Sequence, residues 1–244
     1  MSDERKLSLY FIRHCLPADQ EAGYSGEPNP PLGIVGQEQA KHVAEQIASW
    51  GVDELVSSSM RRALQTAEPI YARLGIDWHV WPALSETSRR SWPALRLAGT
   101  CSAFDYSAIS ERERAGYPSI ADTHPHARLS QPFEPVDRWV YHDETREQSY
   151  DRGRKILKAL IGRQPAGKHR KVAIVGHAAF GSVLLSLLSG APPCDHNRFH
   201  FAHGAIARAD IARDSEAGCR EAAICFSNYV QHLPTEWITE GYNY

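Results

Sequence analysis

Residues 172–188 read VAIVGHAAFGSVLLSLL, and this stretch decides the fold. Its first four residues form an apolar run, which is typical of a strand that is buried on both faces. A polar turn follows at Gly176 and His177. After the turn, apolar side chains recur at helical spacing: Phe180, Val183, Leu184, Leu187 and Leu188. The stretch therefore predicts a buried strand, a polar turn and a helix in direct succession.

The beginning of the chain has the same order. Residues 7–12, LSLYFI, are apolar and predict a buried strand that ends at Arg13 and His14. A segment rich in glycine and proline comes next and indicates a loop. Apolar side chains at helical spacing over residues 40–48 then predict a helix.

A third copy of this order predicts the architecture. Residues 53–56 predict a strand, which is followed by Arg61, Arg62 and a helix over residues 63–74. Strands that alternate with helices in this way form a parallel sheet covered on both faces. We therefore predict an α/β fold, a three-layer α/β/α sandwich with a mostly parallel central sheet.

The remaining segments complete a single predicted domain over residues 1–244. Further strands are expected at 78–80, 205–211 and 222–226, and a further helix at 144–161. Residues 87–140 lack a clear period, although they are not of low complexity. We predict that they form an insertion, a cap over the functional site.

Composition excludes several classes of protein. Hydrophobic residues make up 42% of the 244 residues, which is enough for a packed core. The 27 Lys and Arg against 29 Asp and Glu give a formal charge of -2, which argues against a nucleic-acid partner. The first ten residues lack an apolar secretion signal, and the apolar stretch 173–188 is too short for a bilayer. The five cysteines contain no CxxC pair, so we expect a cytoplasmic protein without a membrane partner.

The predicted strands place three polar clusters at one edge of the sheet. Arg13 with His14, Arg61 with Arg62, and His177 each come directly after a strand of the parallel set. The carboxyl ends of such strands meet at the same edge, where α/β proteins bind ligands. Arginine matches a phosphoryl group with a planar fork of donors, and histidine acts as nucleophile, acid or donor near neutral pH. The convergence predicts a site for an oxyanion, above all a phosphate.

Several motifs in this order resemble a known family. They are YFIRH at 10–14, Pro31-Leu32 with Gly36 and Gln39-Ala40, SSSMRRALQTA at 57–67, LSE at 84–86, VGH at 175–177 and NYVQHL at 228–233. Together they resemble the histidine phosphatase superfamily, also called the phosphoglycerate mutase-like family. The motifs leave the insertion at 87–140 uncovered.

The resemblance implies a mechanism and a set of residues. His14 would be the nucleophile that becomes phosphohistidine, and Glu86 would protonate the leaving oxygen and then activate water. The phosphate would be held by Arg13, Arg61 and His177, with His177 also counted among the catalytic residues. The arginines supply positive charge, so neither a metal nor another cofactor is expected.

Several residues outside these motifs, or at variance with them, are further candidates for a role at the site. Ser25 in the glycine-rich loop, and Arg89 and Arg90 just after Glu86, are candidates for substrate specificity. Cys15 stands where the family usually has glycine, so we expect its side chain to crowd the phosphate loop or alter the backbone angle. His196, His200 and His203 have the spacing of metal ligands but no acidic or cysteine partners, and we expect no metal there.

We therefore predict a metal-independent phosphohydrolase that acts on a small phosphorylated substrate. A mutase of the phosphoglycerate type is the first alternative, although residues 15–31 do not resemble the mutase loop. A protein that binds a phosphorylated ligand without turning it over is the second alternative. The sequence indicates no particular oligomeric state, and it places substrate choice in the insertion.

Overall fold

The structure is a computed structural model that describes residues 5–20, 29–88, 118–130, 142–163, 168–194, 197–213 and 220–239. Ser25, Arg89, Arg90 and most of the predicted insertion lie outside the described residues.

A central sheet of seven strands organises the molecule, in the order β5-β3-β2-β7-β1-β8-β9. These strands are β1 (Arg5–Arg13), β2 (Glu54–Ser57), β3 (Asp77–Val80), β5 (Arg128–Leu129), β7 (Arg170–Gly176), β8 (Ile206–Arg213) and β9 (Arg220–Tyr229). The first five strands in this order are parallel, whereas β8 and β9 are antiparallel to their neighbours. The short strands β4 (Thr87–Ser88) and β6 (His142–Asp143) pair separately. The prediction of a mostly parallel sheet is confirmed.

Helices cover both faces of this sheet. They are α1 (Ile34–Trp50), α2 (Arg61–Leu74), α3 (Ile120–Thr123), α4 (Arg146–Gly162) and α5 (Ala178–Leu188), with short 3₁₀ helices at Ala18–Gln20, Pro82–Leu84 and Thr235–Trp237. None of the described helices has both the length and the apolar character needed to cross a bilayer.

Alternating side chains of the central strands form two separate cores, one on each face. Leu9 and Phe11 of β1 pack with the buried residues of α4 and α5. Tyr10 and Ile12 of the same strand pack on the opposite face, against α1 and α2. The two cores explain why β1 and β7 are continuous apolar runs, and they confirm the three-layer sandwich.

Part of the predicted insertion extends the sheet. Strand β5 pairs in parallel with β3, with His79 opposite Arg128 and Val80 opposite Leu129. The indole nitrogen of Trp81 donates to the hydroxyl of Ser130 at 3.0 Å, which holds this segment to the end of β3. The described portion therefore adds an edge strand, and the cap over the site stays a prediction.

Candidate active site

The carboxyl ends of β1, β2 and β7 bring three polar segments together. In the sheet, Arg13 lies opposite Gly176, the last residue of β7. The backbone N–H of His14 donates to the carbonyl of Gly176 at 2.9 Å, and that of Ser58 donates to the carbonyl of Val175 at 2.9 Å. His14 therefore follows β1 directly beside the end of β7, where His177 follows. The convergence expected from the sequence is present in the structure.

His14 is held in one orientation and one tautomer. Its Nδ1 lies 2.8 Å from the carbonyl oxygen of Cys15, which can only accept, so Nδ1 carries the proton. Its Nε2 accepts a hydrogen bond from Nε of Arg62 at 3.0 Å. The ring is 5% exposed, and its centroid lies 5.1 Å from that of His177. The nitrogen with the lone pair, Nε2, is the one that faces the arginine.

Burial keeps this imidazole neutral. It holds the pKa of His14 well below its usual value, and neighbouring charges act in the same direction: Arg62, His177, Arg13 and His203. A neutral imidazole has a lone pair on Nε2 at neutral pH. The environment therefore favours the protonation state that a nucleophile needs.

Arg62, not Arg61, is the arginine of α2 that reaches His14. The guanidinium of Arg62 is buried, with Nη2 3.5 Å from the sulfur of Met60. Its Nη1 is also buried and has no hydrogen-bond partner in the described part of the chain. Arg61 is partly exposed, and its charge contributes to lowering the pKa of His124, which burial lowers most.

The structure therefore places Arg62 beside His14, where the sequence interpretation had placed Arg61. Consecutive residues of a helix point about 100° apart, so only one of two adjacent arginines faces the sheet edge. The backbone N–H of Arg61 donates to Oδ1 of Asn29 at 3.0 Å at the start of α2. This start directs the next side chain, that of Arg62, toward His14.

Arg13 is fixed by the segment that leads into β8. Its Nη1 donates to the carbonyl of Phe201 at 2.6 Å, and its Nη2 donates to Nε2 of His203 at 2.8 Å. Because that ring nitrogen accepts, Nδ1 of His203 carries the proton and donates to the hydroxyl of Thr239 at 3.0 Å. Burial, with the charges of Arg13 and Arg62, holds the pKa of His203 well below its usual value.

His203 is a site residue that the sequence interpretation missed. Its ring centroid lies 5.5 Å from that of His14. It was grouped with His196 and His200 by spacing, but His200 is exposed and His196 lies outside the described residues. Among the residues that the structure describes, no group of three His, Cys, Asp or Glu side chains could hold a metal ion.

His177 is completely buried at the start of α5. Its Nε2 lies 2.9 Å from the hydroxyl of Ser58, which also accepts from the backbone N–H of Met60 at 3.2 Å. Its buried Nδ1 has no hydrogen-bond partner within the described ranges. Burial lowers its pKa far below the usual value, with Arg62, Arg13 and Arg152 adding to the effect. Buried polar atoms are nearly always paired, so this nitrogen and Nη1 of Arg62, which have no partner within the described ranges, are candidates to contact a ligand.

Glu86 caps the helix that His177 begins. One carboxylate oxygen, Oε1, accepts from the backbone N–H of Thr87 at 3.0 Å and of Phe180 at 2.9 Å. The other, Oε2, accepts from the N–H of Ala179 at 3.2 Å. Negative charge is favourable at a helix N-terminus, so the first turn of α5 fixes this carboxyl group beside the histidine.

The sequence matches the family model of the histidine phosphatase superfamily (branch 1) over residues 9–218. The chain belongs to the histidine phosphatase superfamily. The resemblance that the motifs indicated is confirmed.

Relatives of this chain include proteins named as mutases and proteins named as phosphatases. A probable phosphoglycerate mutase of Proteus mirabilis is 25% identical over 205 residues, which are 84% of this chain and 85% of that protein. A glucosyl-3-phosphoglycerate phosphatase of Mycolicibacterium vanbaalenii is 29% identical over 195 residues, or 77% and 76% of the two chains. A solved mycobacterial glucosyl-3-phosphoglycerate phosphatase, in complex with inorganic phosphate, has a TM-score of 0.61 at 19% identity over 93% of this chain and 99% of that chain. That structural likeness shows the fold.

Cys15, which replaces the usual glycine of the family, does not crowd the site. Its side chain is fully buried in the core beneath α1 and α2. Asn228 is the one residue other than glycine with a positive φ in the described part of the chain, so Cys15 needs no left-handed backbone. Its N–H donates to the hydroxyl of Thr66 at 3.0 Å, and burial raises the pKa of its thiol to about 12. The expectation of crowding or an altered angle is wrong because the side chain points into the core.

Two residues of another family motif, Gly36 and Gln39, support the loop after His14. The backbone N–H of Leu16 donates to the side chain of Gln39 at 2.8 Å, and that side chain donates to the carbonyl of Trp237 at 2.8 Å. A Cβ at Gly36 would lie 2.0 Å from the carbonyl oxygen of Leu16, so only glycine permits this approach. Helix α1 therefore holds the backbone of this loop at Leu16.

Proposed function

We propose that the chain is a phosphatase that hydrolyses a phosphomonoester through a phosphohistidine at His14. The observation that carries this proposal is the neutral, oriented imidazole of His14, whose Nε2 lies against Arg62 among buried donors. Covalent catalysis by an uncharged histidine divides one difficult displacement into two easier ones.

The first step forms a bond between Nε2 of His14 and phosphorus and breaks the bond from phosphorus to the leaving oxygen. Arg62 transfers its hydrogen bond from Nε2 to a phosphoryl oxygen, which releases the lone pair for attack. Glu86 enters this step as a carboxylic acid, with its proton on Oε2, and gives that proton to the leaving oxygen, so the leaving group departs as a neutral alcohol.

The second step returns the enzyme to its starting state. The Glu86 carboxylate takes a proton from water as the water oxygen attacks phosphorus. The bond from phosphorus to Nε2 breaks, inorganic phosphate leaves, and His14 is again neutral. Glu86 has then recovered the proton that it donated.

Positive charge and donors hold the transferring phosphoryl group. We assign its three oxygens to Arg62, Arg13 and His177, with Arg62 in the role that the sequence predicted for Arg61. When Ser58 donates its hydroxyl proton to Nε2 of His177, the ring carries its own proton on Nδ1. That buried N–H, which lacks a partner in the described ranges, is then a donor to a phosphoryl oxygen.

The substrate belongs, in this proposal, to the small phosphorylated metabolites of the cytoplasm. Relatives named as acting on glucosyl-3-phosphoglycerate support a small organic phosphate. Ser25, Arg89, Arg90 and the cap over 87–140 are proposed to choose among such molecules, because loops at a strand edge vary while the scaffold holds the catalytic groups.

Two other functions stay open to the same site. Phosphoryl transfer back to a hydroxyl of the same molecule is favoured by relatives named as probable phosphoglycerate mutases. Incubation with 3-phosphoglycerate and a bisphosphoglycerate primer would detect it as 2-phosphoglycerate. A protein that only binds a phosphorylated ligand would release no phosphate from any substrate.

Trapping of the intermediate tests the central proposal. Labelled substrate is mixed with the enzyme in the presence of a chelator and quenched without acid, and the label is located by peptide mapping. We expect a label on His14 that acid removes and alkali does not. His14→Ala should lose both label and turnover, whereas His200→Ala, a change at an exposed histidine, should keep both. Label that persists in His14→Ala would overturn the assignment.

A further inference from the structure

We infer that Arg152 is a positioning residue for Glu86, which it holds in place for proton transfer. The inference rests on the proposed role of Glu86 as proton donor. Arg152 lies on α4, far from Glu86 in sequence, and none of the motifs that identify the family points to it.

One side of the guanidinium binds the chain just before Glu86. Nη1 of Arg152 donates to the carbonyl oxygens of Ala83 and Ser85, the latter at 3.0 Å. These carbonyls belong to the middle residue of the 3₁₀ helix Pro82–Leu84 and to the residue that immediately precedes Glu86. Arg152 therefore fixes the backbone from which the carboxyl group extends.

The flat face of the same guanidinium contacts the other element that fixes Glu86. Cζ of Arg152 lies 3.6 Å from the centroid of the Phe180 ring. The backbone N–H of Phe180 is one of the donors to Oε1 of Glu86. A cation over an aromatic face is attracted to it, so Arg152 ties the first turn of α5 to the segment before Glu86.

Arg152 is itself held by Glu144 and is not placed as a further phosphate ligand. Its Nε lies 3.2 and 3.1 Å from the two carboxylate oxygens of Glu144, and its Nη2 forms an ion pair with the same group. Both side chains are only 10% exposed. A buried guanidinium with a carboxylate, two carbonyls and a ring around it is a fixed clamp.

If Arg152 positions Glu86, the loss of rate in an Arg152 variant should depend on the leaving group. A purely structural role would lower the rate equally for all leaving groups. Proton donation matters for an alkoxide, which leaves poorly, and little for p-nitrophenolate, which is a stable anion. A misplaced donor therefore slows phosphohistidine formation from an alkyl phosphate but not from p-nitrophenyl phosphate. Misplacement by about 1 Å can cost ~10²-fold in rate.

The experiment measures single-turnover formation of phosphohistidine from both substrates. Arg152→Lys keeps the charge but cannot bridge two carbonyls and a carboxylate together. We expect a ~10–10²-fold loss with the alkyl phosphate and less than about 3-fold with p-nitrophenyl phosphate. Arg154→Met removes an exposed arginine of the same helix and should affect neither substrate.

A double variant separates this inference from the role of Glu86 itself. If Arg152 acts through Glu86, Arg152→Lys should cost nothing further in a Glu86→Gln background. Equal losses on both substrates, or an additive loss in the double variant, would overturn the inference. If Glu86→Gln alone fails to discriminate between the substrates, the proposed role of Glu86 is wrong instead. Should Arg152→Lys not fold, Glu144→Gln loosens the same clamp and carries the same expectations.

Discussion

The adjacent arginines at the start of α2 provide a matched pair of substitutions. Arg62→Ala removes Nε, which donates to Nε2 of His14, and the buried Nη1. These two groups are the donors that Arg62 would offer to the phosphoryl group. Hydrogen bonds to charged groups contribute about 1.5–3 kcal/mol each, so the loss of two raises the barrier by about 3–6 kcal/mol. The expected fall in rate is therefore about 10²–10⁴-fold. Arg61→Ala, on the partly exposed side of the helix, should change the rate less than about 3-fold.

The assay measures single-turnover phosphoryl transfer from p-nitrophenyl phosphate to His14. The leaving group of this substrate needs no proton, so the measured rate reports on how the phosphoryl group is held and not on acid catalysis. Arg62→Lys should lie between the wild type and Arg62→Ala, since it keeps the charge and loses the planar fork. Melting curves show whether each variant is folded. We expect Arg62→Ala to keep or raise the free energy of unfolding, because no carboxylate in the described part of the chain accepts from this buried guanidinium.

Substitution of the two neighbouring arginines should have opposite effects on the rate: a large loss for Arg62→Ala and almost none for Arg61→Ala. If Arg61→Ala lost as much activity as Arg62→Ala, the orientation of the first turn of α2 would be wrong. If Arg62→Ala kept activity within about 3-fold of the wild type while folded, its role in holding the phosphoryl group would be refuted.

Three further predictions follow from the buried groups. His203→Ala should lower kcat/KM by ~10-fold or more because the buried arginine beside it loses an acceptor, while His203→Gln, whose amide oxygen can accept, should recover part of the loss in steady-state assays. The lowered pKa values of His14, His177 and His203 mean that each takes up a proton on unfolding below pH ~6.5. Stability should therefore fall on acidification, and these three residues alone contribute a slope that approaches ~4 kcal/mol per pH unit. Urea titrations at several pH values measure that slope, and a flat profile would contradict it. Iodoacetamide should label the exposed Cys225 in the native protein and reach buried Cys15 only after unfolding, as mass spectrometry would show.

The layers of this fold follow from local patterns in the sequence. Leu9, Phe11, Val172 and Ile174 belong to one core, and their neighbours along the same strands belong to the other. A strand that is buried on both faces is apolar at nearly every position, which is why β1 and β7 are recognisable without any alignment. Polar side chains directly after such strands then lie at one edge, as His14 and His177 do.

The structure differs from the sequence interpretation at two places in the site, and the physical causes are different. The choice between Arg61 and Arg62 depends on where α2 starts, and a hydrogen bond from the distant Asn29 contributes to that start. The sequence pattern indicates polar residues that follow parallel strands, and His203 does not follow one. It precedes β8. Strand β8 is antiparallel to β1, so the residues before β8 reach the same edge as the residues after β1. Only the pairing of the strands shows that His203 faces Arg13.

The charges of the site lead to one explanation for its unusual burial. Arg13 and Arg62 place two cations in a region that is almost closed to water, where burying a charge is costly. The same burial, together with those cations, keeps His14 and His177 neutral, and a neutral His14 is the form that can attack phosphorus. A phosphate dianion would neutralise both guanidinium groups and accept from the buried Nη1 of Arg62 and Nδ1 of His177, which have no partner in the described ranges. The buried cations and buried donor atoms, which are costly by themselves, are therefore the features that would suit the proposed phosphoryl group.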